Sequence, residues 1–127
     1  MAAGDLSEFQ TAGRTLFSLG LVKGSEGNLS TWDGRRLRIT RTGSRLAHLS
    51  EGDVLEGTLD EPPPAASSDL ELHVAAYRER GPGAVAHAHP AGSVPENWVE
   101  GEEHGRYAFG ATLPEAAAEI VKSARAV

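Results

Sequence analysis

A chain of 127 residues is long enough for one domain with a real core and too short for two of ordinary size, so residues 1–127 are read as a single domain. Hydrophobic residues at 39% and charged residues at 24% describe a globular chain, and 18 Asp and Glu against 12 Lys and Arg leave a net charge of -6. That acidic balance, with no basic run, argues against nucleic acid or an anionic membrane as the main partner, and the absence of cysteine excludes disulfides and thiolate metal sites.

The N-terminal MAAGDLSEFQ has neither a basic leader nor an apolar core of signal-peptide length, and no stretch is long enough to cross a bilayer. A soluble, cytoplasmic protein is the expectation. Asp5 and Glu8 suit a helix start, and Leu6, Phe9, Gly13, Leu16 and Phe17 recur near helical spacing up to Gly20. This helix reads as scaffold, packing on a sheet. Leu29 to Trp32, a turn at Asp33-Gly34 and a returning strand from Arg36 to Thr40 predict a hairpin, with Leu37 and Ile39 facing away from Arg36 and Arg38. The glycine-rich approach through Gly24, Gly27 and Asn28, and the stretch from Thr40 to Ser44, can present backbone amides to an anion; taken singly, each is a turn. A short strand around Val54 and Leu55 precedes an extended loop over Pro62 to Pro64, and His48 is assigned no function.

SSDLELHVAAYRERG has both helix ends written in: Ser68 and Glu71 form a capping box, and Gly81-Pro82 is a stop. Asp69 and His73, four apart, share a face near the helix start. The next stretch, VAHAHP, reads as a strand presenting His87 and His89 on one face, which is a metal-ligand geometry but, taken on its own, more often a half-polar strand. The short connection lets this strand return antiparallel along the helix. After Pro90 comes a loop with an exposed Trp98, then a strand over RYAF ending at Gly110. A final helix follows, with Thr112 and Glu115 as its capping box and Pro114 in the first turn, running through Ala126.

In order, EGNLS, ITRTGS, SSDLELHVAAY, AVAHAHP and HGRYAFGATLPEAA resemble the class II aldolase and adducin head family, typified by fuculose-phosphate aldolase, in a shortened form. The resemblance implies an α/β fold: a three-layer αβα domain with a mostly antiparallel central sheet. It implies a zinc site, or one for another divalent metal, at His87, His89 and His104, with Asp69 as catalytic acid/base. Asn28, Thr42, Gly43, Ser67 and Ser68 match the loops that hold the substrate phosphate, and His73 takes a supporting position. The activity so implied is that of a lyase making or breaking a carbon–carbon bond in a small sugar phosphate through a metal-stabilised enediolate. The same scaffold also resembles sugar-phosphate epimerases and dehydratases, and the non-catalytic adducin head, an interaction module. A homo-oligomer is expected, the tetramer being the usual family form.

Overall fold

The computed structural model describes residues 6–22, 27–67, 69–88 and 106–125. Helix α1 (Leu6–Ser18) leads into the antiparallel pair β1 (Asn28–Trp32) and β2 (Leu37–Thr40). Two short 3-10 turns, Leu46–His48 and Glu51–Asp53, then lead to β3 (Val54–Gly57). Helix α2 (Leu70–Arg80) is followed by β4 (Gly83–Ala88), β5 (Arg106–Gly110) and helix α3 (Leu113–Arg125). The strands form one sheet in the order β3-β2-β1-β4-β5, and every neighbouring pair is antiparallel. Among the described residues no helix is long and apolar enough to cross a membrane.

Strand alternation divides the core into two layers. On one face, Leu29 of β1 and Ala84, Ala86 and Ala88 of β4 pack against Phe9, Ala12 and Leu16 of α1 and Leu113, Ala116 and Ile120 of α3. The alanines keep that face of β4 low, so both helices lie close to the sheet. On the other face, Leu37, Ile39 and Val85 pack with Tyr77 of α2, and Trp32, Leu59 and Phe109 close around them. Each fully buried large side chain in these layers contributes about 1.5–3 kcal/mol of apolar burial. The αβα layering expected from the family resemblance is therefore the observed architecture.

Local details depart from the sequence reading in instructive places. Phe17, expected on the apolar face of α1, is 49% exposed, because it lies about 100° round the helix from the buried Leu16. The hairpin turn centres one residue later than Asp33-Gly34. The Asp33 carboxylate accepts the amides of Arg35 and Arg36 at 2.9 and 2.7 Å, which makes Asp33 the first residue of the turn. At the start of α3 the Thr112 hydroxyl accepts from the Glu115 amide at 3.3 Å, and Glu115 reaches back to the Ala111 amide at 2.9 Å. Asp5 and Trp98 lie outside the described residues.

Helix α1 crosses the Leu46 turn at Gly13, where a side chain has no room: a Cβ there would stand 2.1 Å from the Leu46 carbonyl oxygen. The obstacle is backbone and cannot swing aside. Gly13→Ala is therefore expected to destabilise the protein by about 1–3 kcal/mol despite alanine's better helix propensity, as read by urea denaturation; an unchanged midpoint would show that α1 does not sit where the structure puts it.

Candidate functional site

The register of the sheet builds the site. Asn28 pairs with His87 across β1 and β4, and His87 pairs with Tyr107 across β4 and β5, so three chemically active side chains stand in one row on the face beneath α2. Gly27 permits the first of these pairings. Its φ is +82°, and a Cβ there would come within 2.8 Å of both the His87 carbonyl oxygen and the Val22 side chain.

Asp69 occupies the N-cap position of α2, yet its carboxylate makes no capping bond. It turns instead to the sheet. Its Oδ2 accepts from the Asn28 Nδ2 at 2.9 Å and stands 3.1 Å from His87 Nδ1, while Asn28 Nδ2 also lies 3.2 Å from that nitrogen. The side chains of His87 and Asp69 are 2% and 23% exposed, so the pair has a buried side and an approachable one. Burial pushes the Asp69 carboxyl up, but the Asn28 hydrogen bond and the nearby His87 and His73 outweigh it, and the net shift is downward. Asp69 is therefore ionised near neutral pH.

Below this pair the polar chain continues into the core. Asn28 Oδ1 meets His73 Nε2 in a short hydrogen bond, His73 Nδ1 lies 2.6 Å from Ser30 Oγ, and Ser30 Oγ lies 2.7 Å from the Tyr77 hydroxyl. His73 is fully buried, and burial, with His87 adding to it, lowers its pKa to about 3 against the opposing pull of Asp69. The ring is neutral. On the far side of His87, the Tyr107 ring stacks at 3.9 Å between centroids and 4° between planes. The Tyr107 hydroxyl is buried beside Asp69 without a hydrogen bond of ordinary geometry, and burial, the Asp69 charge and the proton the hydroxyl can give that carboxylate push its pKa up.

The phosphate-loop candidates gather beside this row. Arg41 bridges to Ala66, the Thr42 amide donates to the Ala65 carbonyl at 2.9 Å and the Ser67 amide to the Thr40 carbonyl at 3.1 Å, so Thr42 and Gly43 lie against the segment that ends in Ser67. Ser67 Oγ in turn accepts the Asp69 amide at 3.3 Å, which ties that loop to the start of α2. The structure thus brings together Asn28, Asp69 and His87, with Thr42, Gly43 and Ser67 adjoining. Ser68, His89 and His104 lie outside the described residues, as does the Ser68 side of the expected capping box.

Among the described residues no three His, Cys, Asp or Glu side chains are grouped to hold a metal ion. His87 nonetheless suits one as a ligand. A carboxylate on Nδ1 is the usual way a metal-binding imidazole is oriented, and it directs coordination to Nε2. Sequence reading missed Ser30, Tyr77 and Tyr107. The only available signal was alternation along β1 and β5, which becomes informative once the register with β4 is known.

Residues 7–95 match the model of the class II aldolase and adducin N-terminal domain. The chain is 36% identical over 90 residues to an L-fuculose phosphate aldolase of Methanococcus maripaludis and 35% identical over 92 residues to one of Methanocaldococcus jannaschii. Each alignment covers 67% of this chain and 49% of the relative, so the chain spans about half the length of these relatives. Among solved structures, the L-fuculose-1-phosphate aldolase of Thermus thermophilus superposes with a TM-score of 0.78 at 25% identity, over 94% of this chain and 88% of that one. YgbL of Klebsiella pneumoniae shares the fold, with a TM-score of 0.74 at 22% identity over 95% of this chain and 86% of the other.

The buried neutral His73 makes stability depend on pH with a definite sign. In the unfolded chain the ring takes up a proton near pH 6.5, whereas in the folded chain it stays bare down to about 3, so the unfolded state binds more protons in between. Stability from this group is full above pH 6.5 and is lost as pH falls. Between pH 6.5 and 5 the loss is expected to be about 2 kcal/mol, and replacing His73 with glutamine should remove that part of the slope in urea denaturation at the two pH values.

Proposed function

The chain belongs to the class II aldolase and adducin N-terminal domain family, and from that premise we propose that it is a metal-dependent, aldolase-like lyase acting on a small sugar phosphate. The observation that carries the reading is the ionised Asp69 carboxylate, held by Asn28 against His87 at the mouth of a row of polar side chains. A purely structural N-cap would spend that carboxylate on its own helix. Here it faces the sheet and is partly open to solvent.

In this reading His87, with His89 and His104, holds a divalent cation such as zinc, which when bound supplies a Lewis acid for a substrate carbonyl and for the negative charge that develops beside it. The chain's own residues do the rest. Asn28 and His87 hold the carboxylate through Oδ2, and its partly open side takes or returns a substrate proton. Asn28 keeps the carboxylate ionised and fixes its direction. Thr42, Gly43, Ser67 and Ser68, with Asn28 at their edge, receive the phosphate, whose binding orients the reacting carbon. Tyr107 covers one face of His87, holds its plane and keeps water from that side. The family resemblance also supports a cytoplasmic homo-oligomer, and the exposure of Leu72, at 47%, agrees with an interface along α2.

The test is turnover by the whole, metal-loaded chain on a panel of ketose phosphates beginning with L-fuculose 1-phosphate. Cleavage should vanish on chelation, return with metal, and fall about a hundredfold or more in Asp69→Asn, while His87→Ala should also lose stoichiometric metal. Absence of cleavage across the panel, together with absence of bound metal, would overturn the reading in favour of a non-catalytic interaction module.

A further inference from the structure

The polar chain running inward from Asp69 has a direction, and that direction assigns a role to His73. At the outer end an ionised carboxylate only accepts, so Asn28 must present Nδ2 to Asp69 and its Oδ1 must face His73. An oxygen there requires a donor, which places the His73 proton on Nε2. At the inner end Ser30 Oγ lies 2.7 Å from the Tyr77 hydroxyl, and either oxygen can donate. With Nε2 protonated on a neutral ring, Nδ1 is bare and accepts the Ser30 proton at 2.6 Å, which leaves the Tyr77 proton for Ser30 Oγ. The outer end fixes the tautomer, and the inner end satisfies it with every group paired.

We propose that His73 is a positioning residue of the site: locked as its Nε2–H tautomer by Ser30 and Tyr77, it holds the Asn28 side-chain amide in the one orientation that gives Asp69 a donor. Without this lock the amide is free to turn over, and turning it over would set Asn28 Oδ1 against the carboxylate, oxygen to oxygen. The geometry supports the assignment in two further ways. His73 and Asn28 are buried, at 0% and 4% exposure, so water is not at hand to supply the missing proton. His73 sits four residues after Asp69 on α2, so the same helix that carries the carboxylate also carries the group that aligns its donor. Ser30 and Asn28 alternate on β1, and together these two elements close the arrangement. The catalytic part of this inference rests on the lyase reading; the tautomer and the amide orientation do not.

The experiment compares the full chain with H73Q, which retains an N–H donor and an oxygen, and H73L, which retains neither. In metal-free protein carrying 15N-labelled histidine, His73 should show one protonated ring nitrogen, Nε2, and one bare nitrogen, Nδ1, at pH 7. The Asn28 side-chain amide should be a dispersed, slowly exchanging pair in the parent and in H73Q, and should lose that protection in H73L while the backbone spectrum stays folded. With substrate, H73L should lower kcat tenfold or more with KM within twofold, and H73Q should recover most of it. An Nδ1–H tautomer, or an Asn28 amide unchanged in H73L, would overturn the proposal. Should H73L not fold, Ser30→Ala removes only the hydroxyl on Nδ1, and an Asn28 amide with parent-like dispersion and exchange in that variant would overturn it equally. If the parent shows no turnover on any ketose phosphate, the lyase reading fails while the nitrogen and amide spectra still decide the role of His73.

Discussion

The antiparallel pairing of β1 with β4 sets Asn28 opposite His87, and the chemistry of the molecule hangs on that one registration. A shift by one residue would turn Asn28 and Ser30 to the opposite face and bring Leu29 under α2. Apolar burial guards against it. Leu29 is fully buried beneath α1 and α3, and the shift would set it among His73 and Tyr77, which need polar partners, while burying Asn28 and Ser30 in the apolar layer without any. The hydrophobic core thus holds the register, and the register holds the site.

A second dependence runs through the polar face. Burying an imidazole, an amide, a serine hydroxyl and a tyrosine hydroxyl together would be costly if any one were left unpaired. Each of the four is hydrogen-bonded to the next, from Tyr77 through Ser30 and His73 to Asn28, and the series ends on a carboxylate that reaches solvent. Its outer end is a group suited to proton exchange with a bound molecule. The protein as a whole carries a net charge of -6, so any anion drawn to this face has to be met by local donors, and the loop at Thr42 and Gly43 is flanked by Arg41 and Arg45 on an otherwise acidic chain.

Much of this was legible in the residues, and the reasons for the rest are physical. Asp69 and His73 at a spacing of four announced a shared helix face, and the alternation of Leu37 and Ile39 with Arg36 and Arg38 announced a hairpin with one buried side. The capping box read at Ser68 falls on a residue outside those described. Asp69 sits at the cap position, and tertiary contacts with Asn28 and His87 take its carboxylate away from the helix amides. Tyr107 was beyond reach because its part in the site depends on which residue of β4 it pairs with, a property of register that no local pattern states. Ser30 and Tyr77 were hidden for the same reason: each looks like an ordinary strand or helix residue until the two elements are packed together.

Only Gly81 and Pro82 separate α2 from β4, so Asp69 and His87 lie at the same end of one local helix–strand unit. Loop closure within such a unit is inexpensive, whereas Asn28 reaches His87 across 59 residues of chain. The consequence concerns how the site comes into being during folding. The carboxylate and the imidazole can meet as soon as α2 docks on β4, a local and therefore rapid event, while the amide that orders them arrives only when the long-range β1 pairing forms. The chain would pass from a loosely assembled acid–imidazole pair to a fixed one at the step that completes the sheet.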